Sequence, residues 1–423
     1  MKDYILASSV VGAEPDLDVL TNFASKQAGV CYMADDIISI MNEEEFKTQK
    51  RLNQIINDGH LSPFEHNSIT FHFEGLPKIM AMEMNNCKVY ATSEKSGRYT
   101  VLGGLTQQES DFYNKWKEII RQKVDEVYPF DPFENKTCFA MNGRRPTRED
   151  IDSGNIKWEK VPFLSNRNRE KLAMENARYI QSIMTPVKFT HTLNLRQINN
   201  IYTWAGKILE EENSHPIHEL MKPSLKELRE CFEKRNLIVD ELYDKKGSSV
   251  DFKMIQQDRK LIGGEHFGEY YATQYKGSWA QFAQVLRHRT LDYSASLSPE
   301  EDKSYYTPVI LLGDKDLCEE WQEDISKIKH PLGEMVDITE GGHINDFLLK
   351  TKERLCTHAQ LEANIQTVKT LQKYIANLKI TSPEQAAIME RYSKGARCTF
   401  PKGEFKCNKD CHFIEGKTME RII

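Results

Sequence analysis

A chain of 423 residues, 39% hydrophobic and 28% charged, is long enough for two or three domains with a sizeable core. A formal net charge of −6 argues against a general binder of polymeric nucleic acid, and no apolar run is long enough to span a bilayer. Nine scattered cysteines, an odd number, suit a reducing compartment better than a disulfide framework, so a cytoplasmic protein is expected.

Residues 1 to about 57 read as mostly helical. Asp16, Asp18 and Thr21 lie near a helix start, and DIISIMNEEEFKTQKRLNQIINDG keeps helical spacing as far as Gly59. His60 and Ser62 lead into Pro63, and the alternation of Ile69, Phe71 and Phe73 predicts a half-buried strand ending at Gly75. LPKIMAMEMNNCKVYATS predicts a helix. The non-helical EKSGRYTVL follows, in which Glu94, Ser96 and Arg98 alternate and would share one side of an extended segment. A helix through YNKWKEIIRQKVDEVY precedes stretches bearing Pro, Asn and Gly that read as an insertion at about 101–170. NREKLAMENARYIQSIM predicts an amphipathic helix, VKFTHTLNLRQINNIYTWA a short strand running into a helix, and HELMKPSLKELRECFEKRN another helix.

The polar stretch 236–262 reads as a linker between a first half, 1–235, and a second, 263–390, with a Cys-rich tail at 391–423. The second half repeats the order helix, polar stretch, extended segment, helix: FGEYYATQYKGSWAQFAQVLRHR leads as the helix, and YYTPVILLG reads as a strand. Long helical material from GGHINDFLLK onward should break near His358. Within this half Gln281, Gln284, Arg287 and His288 fall at i, i+3, i+6 and i+7, one polar stripe opposite Phe282, Val285 and Leu286. Two arginines around a histidine suit phosphate or a uracil-like edge, although a solvated basic helix end would look the same.

The two halves resemble one another weakly. IMAMEMNNCK (79–88) corresponds to AQFAQVLRHR (280–289), and 194–220 corresponds to 343–363. Neither a phosphate-binding glycine loop of the G-x-x-x-x-G-K type nor a convincing G-x-G-x-x-G is present, so any phosphate would fall to arginines.

These residues carry a resemblance to the flavin-dependent thymidylate synthases. That family's motif runs Arg-His-Arg, two residues, Ser, one, Asn-Glu, one, Ser, one, Arg-Tyr. Asn86 to Tyr99 aligns with it without a gap, with Asn86-Cys87-Lys88 in place of Arg-His-Arg and Ala91 in place of the first Ser, but with Glu94, Ser96, Arg98 and Tyr99 matching. The second half shows the reverse: Gln284, Arg287, His288 and Arg289 match while the rest has become SASLS. GHLSPFEH (59–66), ENARYI with Arg178, LNLR with Asn194 and Arg196, Asn200, and RLCTHAQLE with Arg354 resemble further family segments. Leu361 stands where the family has Trp, and Ala205 occupies the place of Arg354 in the first half.

The resemblance implies an α+β fold with two related halves, each a mixed or antiparallel sheet covered by helices. It also implies reductive methylation of dUMP at C5, with FAD, NADPH and methylenetetrahydrofolate, by a homodimer in pseudo-tetrameric arrangement. A pyrimidine nucleotide hydroxymethylase and a non-catalytic scaffold derived from the enzyme remain alternatives. By the same resemblance Glu94, Lys95, Ser96, Gly97, Arg98, Arg178, Gln284 and Arg287 would bind the nucleotide. His60, Ser62, Asn194, Arg196, Asn200, Arg287, His288 and Arg289 would hold FAD or folate, and Arg354 would be catalytic. Helix capping and a surface ion pair are the other reading of Asn194 and Arg196, and a core or capping histidine that of His60. Cys87 and Cys356 are read as structural thiols. Cys398, Cys407, Cys411 and His412 could bind zinc, although their spacing is no paired-CxxC pattern.

Overall fold

The computed structural model describes residues 2–7, 10–11, 14–85, 90–101, 103–128, 147–155, 166–212, 215–243, 261, 263–356, 358–401 and 421–423. In chain order these form β1 (Lys2–Ala7), β2 (Val10–Val11), α1 (Leu17–Tyr32), α2 (Ile37–Met41), α3 (Glu45–Asn57), β3 (Ile69–Pro77), α4 (Lys78–Met84) and β4 (Ala91–Glu94). Next come α5 (Gln107–Val127), α6 (Arg148–Asp152), α7 (Asn166–Ala177), β5 (Pro186–Leu193), α8 (Leu195–Glu210), α9 (Pro216–Lys234) and α10 (Asp240–Tyr243). The remainder is β6 (His266–Phe267), β7 (Tyr270–Ser278), α11 (Trp279–Val285), β8 (Asp292–Leu297), α12 (Lys315–Ser326), β9 (Met335–His343), α13 (Ile344–Arg354), α14 (Leu361–Thr381) and α15 (Pro383–Glu390). The chain is α+β, and it divides into two compact units: Met1–Lys95 with Met184–Met254, and Ser96–Ile183 with Ile255–Ile423.

The first unit holds an antiparallel sheet in the order β2-β1-β3-β5-β4. The expected alternation in β3 buries Ile69, Phe71 and Phe73, and Phe71 meets Phe232 of α9 with ring centroids 5.6 Å apart. Gly75, at φ 99°, sits where the pairing register with β5 shifts, so the strand bulges there and continues to Pro77. The first 57 residues are mostly helical, as expected, but begin with a strand: β1 pairs with β3, Ile5 opposite Phe71. The single helix expected before Gly59 is two, α2 and α3. Glu43 lies between them, and its carboxylate is drawn onto Arg51 of α3 at 2.6 and 2.7 Å. The helix expected over 76–93 stops at Met84, and Ala91–Glu94 pairs with β5 instead. Thr92 is β-branched and suits a strand better than a helix.

The second unit holds the sheet β6-β7-β9-β8, also antiparallel. Its order repeats that of β1-β3-β5-β4. Strands β3 and β7 are each nine residues and run straight into seven-residue helices, α4 and α11, so the helix expected from Phe267 onward is a strand as far as Ser278, where the alternating Tyr271, Thr273 and Tyr275 are buried. Strands β5 and β9 likewise lead into α8 and α13, with Asn194 and His343 as the two N-caps. Gly277 permits the tight β7–α11 corner, since a Cβ there would overlap Gln281 Oε1 and Ile338. Helix α5 packs by Trp116 against Trp321 of α12, ring centroids 5.0 Å apart, with the Trp116 indole N–H donating to Asp324 at 3.0 Å. The strand expected over 305–313 is absent. Pro308 has no N–H for a ladder, Tyr305 makes one isolated bridge to Glu334, and Val309–Leu311 is a 3-10 turn. The break expected near His358 is present between α13 and α14. Among the described residues no helix is long and apolar enough to cross a membrane.

Candidate active site

The break between α13 and α14, residues 355–360, lies within the second unit and gathers side chains from distant parts of the chain. His358 O accepts from Arg98 Nη2 at 2.7 Å, Ala359 O from Arg421 Nη2 at 2.6 Å, and Gln360 Oε1 from Arg178 Nη2 at 2.5 Å. Gln360 N donates to Gln284 Oε1 at 3.2 Å, and Gln284 O accepts from Arg354 Nη2 at 2.9 Å. Arg98 Nε also donates to Glu175 Oε2 at 2.8 Å. Thus Arg98 and Arg178, from the first half of the sequence, meet Gln284 and Arg354 from the second in one compact unit.

Burial and close charges act on one another here. Burial raises the Glu175 carboxyl, but Arg98, Arg178 and Arg421 more than reverse this and leave it below the ordinary carboxylate range. Burial lowers Arg178, Arg354 and Arg421, and the neighbouring guanidiniums of Arg98 and Arg287 push Arg354 the same way. The Nε groups of Arg178 and Arg354 are buried without a hydrogen-bond partner among the described residues. Burial raises the Glu362 carboxyl, which accepts from Ser278 N at 2.8 Å and Tyr179 OH at 2.9 Å. Buried guanidinium N–H groups with no partner among the described residues can donate to an anion.

The other expected site residues fall less neatly. Ser96 to Arg98 form a turn, with Tyr99 N donating to Ser96 O, so the one-sided extended run of Glu94, Ser96 and Arg98 is not formed. In the first unit Glu94 pairs with Lys78 Nζ at 2.5 Å, and Lys95 is exposed. Ser96 and Gly97 stay half-buried beside Arg98. Helix α11 ends at Val285, so the polar stripe expected through His288 is broken. Gln281 is buried, Arg287 half-buried and Arg289 exposed. His288 is buried, and desolvation with Arg354 and Lys350 nearby lowers its pKa to about 2, so the ring is neutral.

In the first unit the Asn194 side chain accepts from Gln197 N in a capping box, and Arg196 pairs with Glu65. Capping and ion pairing are therefore what those two side chains do here. Asn200 is half-buried, Ser62 is exposed at the start of a 3-10 turn, and His60 Nδ1 lies 2.6 Å from Tyr32 OH. Cys356 is a buried thiol, Cys398 is exposed, and Cys87, Cys407, Cys411 and His412 lie outside the described residues. No group of three potential metal ligands occurs among the described residues. Sequence reasoning missed Glu175, Gln360 and Arg421. The first stands three residues before Arg178 and the second inside the HAQLE segment, but nothing local marks the third.

The profile of the family described as thymidylate synthase complementing protein matches residues 19–232, just over half of the chain. The flavin-dependent thymidylate synthase of Clostridium tetani is 25% identical over 182 residues, 41% of this chain and 65% of that protein. Its counterpart from Pyrococcus furiosus is 22% identical over 195 residues, 44% of this chain and 64% of that protein. The chain thus spans just under two thirds of the length of these relatives. Among solved structures, Thymidylate Synthase X from Helicobacter pylori with FAD and dUMP is 16% identical, covering 58% of this chain and 98% of that one with a TM-score of 0.29. The UMP/dUMP methylase PolB from Streptomyces cacaoi bound with 5-Br dUMP is 14% identical over 56% and 96%, with a TM-score of 0.27. By its sequence the chain belongs to the thymidylate synthase complementing protein family.

Proposed function

We propose that this chain is a flavin-dependent thymidylate synthase that methylates dUMP at C5, taking the carbon from methylenetetrahydrofolate and reducing power from NADPH. The observation that carries the reading is the meeting of Arg98, Arg178, Gln284 and Arg354 around residues 355–360. Arg98 and Arg178 hold the nucleotide phosphate, with Ser96 and Arg287 beside them. Arg354, set against the N3–C4 edge of the pyrimidine, stabilises the negative charge that develops there and makes C5 nucleophilic. No cysteine nucleophile is needed, in keeping with the burial of Cys356.

FAD, when bound, supplies the hydride. Half-buried Arg287 and exposed Arg289 suit its diphosphate or reduced ring, and His288 offers a neutral imidazole. His60, Ser62 and Asn200 of the first unit remain candidate contacts, whereas the Asn194 and Arg196 side chains are engaged elsewhere. The repeated sheet order supports a fused, double-length form whose halves, 1–235 and 263–390, have divided their duties, working as a homodimer in pseudo-tetrameric arrangement. Nine scattered cysteines, an odd number, support a cytoplasmic setting.

A second reading, hydroxymethylation at C5, is favoured by the replacement of the family's Trp by Leu361. One experiment tests both. The purified protein is incubated with FAD, dUMP, methylenetetrahydrofolate and NADPH, and the product is identified by mass. dTMP supports the first reading and 5-hydroxymethyl-dUMP the second. A colourless protein that neither binds FAD nor consumes dUMP refutes both and leaves the scaffold.

A further inference from the structure

Directly opposed residues of an antiparallel sheet share a face, and the register sets Tyr293 of β8, Glu340 of β9 and Thr273 of β7 in one row. Tyr271 and Tyr275, two residues either side of Thr273, lie on that face as well. Helix α13 adds the buried Lys350. Four donors thus share a face with one carboxylate, which serves three of them. Glu340 Oε1 accepts from Tyr271 OH at 2.7 Å, and Oε2 from Tyr275 OH at 2.7 Å and Lys350 Nζ at 2.5 Å. Tyr293 is the fourth. Its OH is buried with no hydrogen-bond partner among the described residues, and Lys350 Nζ stands 5.7 Å from the centre of its ring.

A buried hydroxyl left unpaired costs about 1–3 kcal/mol, and a phenylalanine ring would fill the same space without that cost. One helical turn after Lys350 comes Arg354, whose Nε is also buried without a partner among the described residues. Phenol and guanidinium are close enough to act on one another electrostatically. Burial holds the Tyr293 phenol well above its ordinary pKa, so it keeps its proton and can donate. A guanidinium only donates. What the two can serve together is a group with lone pairs, a carbonyl edge and not an amino group.

We propose that Tyr293 is a specificity-determining residue: beside Arg354 it donates its hydroxyl hydrogen to the C4 carbonyl oxygen of the pyrimidine and so selects a uracil base over a cytosine one. The nucleotide, and the seat of its base against Arg354, rest on the function proposed above.

Isothermal titration of the full chain with dUMP and with dCMP, FAD present, tests the proposal on wild type and Tyr293→Phe, together with guanidinium unfolding of both. The substitution removes one oxygen and keeps the ring. Wild type is expected to prefer dUMP. Tyr293→Phe should be as stable as wild type or more so, since an unpaired hydroxyl is gone. Its dUMP affinity should fall by about 5- to 50-fold, while affinity for dCMP, which carries an amino group at C4, changes by less than about twofold. Unchanged dUMP affinity in Tyr293→Phe, or equal weakening toward both nucleotides, overturns the assignment and leaves the proposed function standing. Wild type that binds dCMP as tightly as dUMP overturns it in the same way. A Tyr293→Phe protein less stable than wild type makes the hydroxyl structural and overturns it too. Wild type that binds neither nucleotide refutes the proposed function, and the assignment falls with it.

Discussion

Replacing Lys350 by Met would remove the cation of a buried ion pair and leave its carboxylate behind. Lys350 Nζ lies 2.5 Å from Glu340 Oε2, and the two side chains are 1% and 0% exposed. Glu340 also accepts from Tyr271 OH and Tyr275 OH, each at 2.7 Å, so it would keep two donors and lose its counter-charge. Breaking such a pair costs about 3–5 kcal/mol. The two tyrosine donors that remain would hold the loss near the lower end of that range. Lys315 and Glu319 are 86% and 68% exposed, so Lys315→Met should cost at most about 0.5 kcal/mol.

The assay is guanidinium unfolding followed by tryptophan fluorescence, compared at constant slope. Lys350→Met with Glu340→Gln should recover most of the loss, because no buried charge then remains. A Lys350→Met cost no greater than that of Lys315→Met, or a double variant as unstable as the single, would refute the reasoning. Lys350 precedes Arg354 by one helical turn, so the pair also helps to set the position of the catalytic candidate.

Arg98→Ala removes a guanidinium whose side chain is 14% exposed and bonded to Glu175. It should weaken dUMP binding by about 1.5–3 kcal/mol while leaving deoxyuridine unaffected in the same titration, and unaltered dUMP affinity would exclude the phosphate role. His288 provides a pH prediction, since its ring stays neutral in the fold down to about pH 2, whereas in the unfolded chain it takes a proton below about 6.5. The unfolded state therefore binds more protons below that value, and this residue should lower stability by about 1.4 kcal/mol per pH unit as pH falls from 6.5. His288→Phe should flatten that part of the stability curve, and identical slopes in the two proteins would contradict the assignment.

The sequence announced the parts of this molecule that depend on local pattern. Alternating Ile69, Phe71 and Phe73 made a strand, and the family motifs led to Arg98, Arg178, Gln284 and Arg354, which the fold brings together. Tertiary context decided the rest. Nothing in QVLRHR says that the helix stops at Val285 and that His288 is buried beside Lys350 and Arg354, because both depend on tertiary packing in the second unit. Tyr305 to Gly313 has strand composition, but Trp321 Nε1 takes the Tyr306 carbonyl that a ladder would need. Arg421 had no motif around it, and only the folded chain shows what it approaches.

Loss of the C5 hydrogen of dUMP is the step that Arg354 would promote, and tritium placed at C5 reports it directly. With FAD, NADPH and methylenetetrahydrofolate, the wild-type protein should release tritium to water. Arg354→Ala should keep its flavin absorbance and its affinity for dUMP while release slows by at least about 100-fold. No release by wild type, or equal release by the two proteins, would contradict the account.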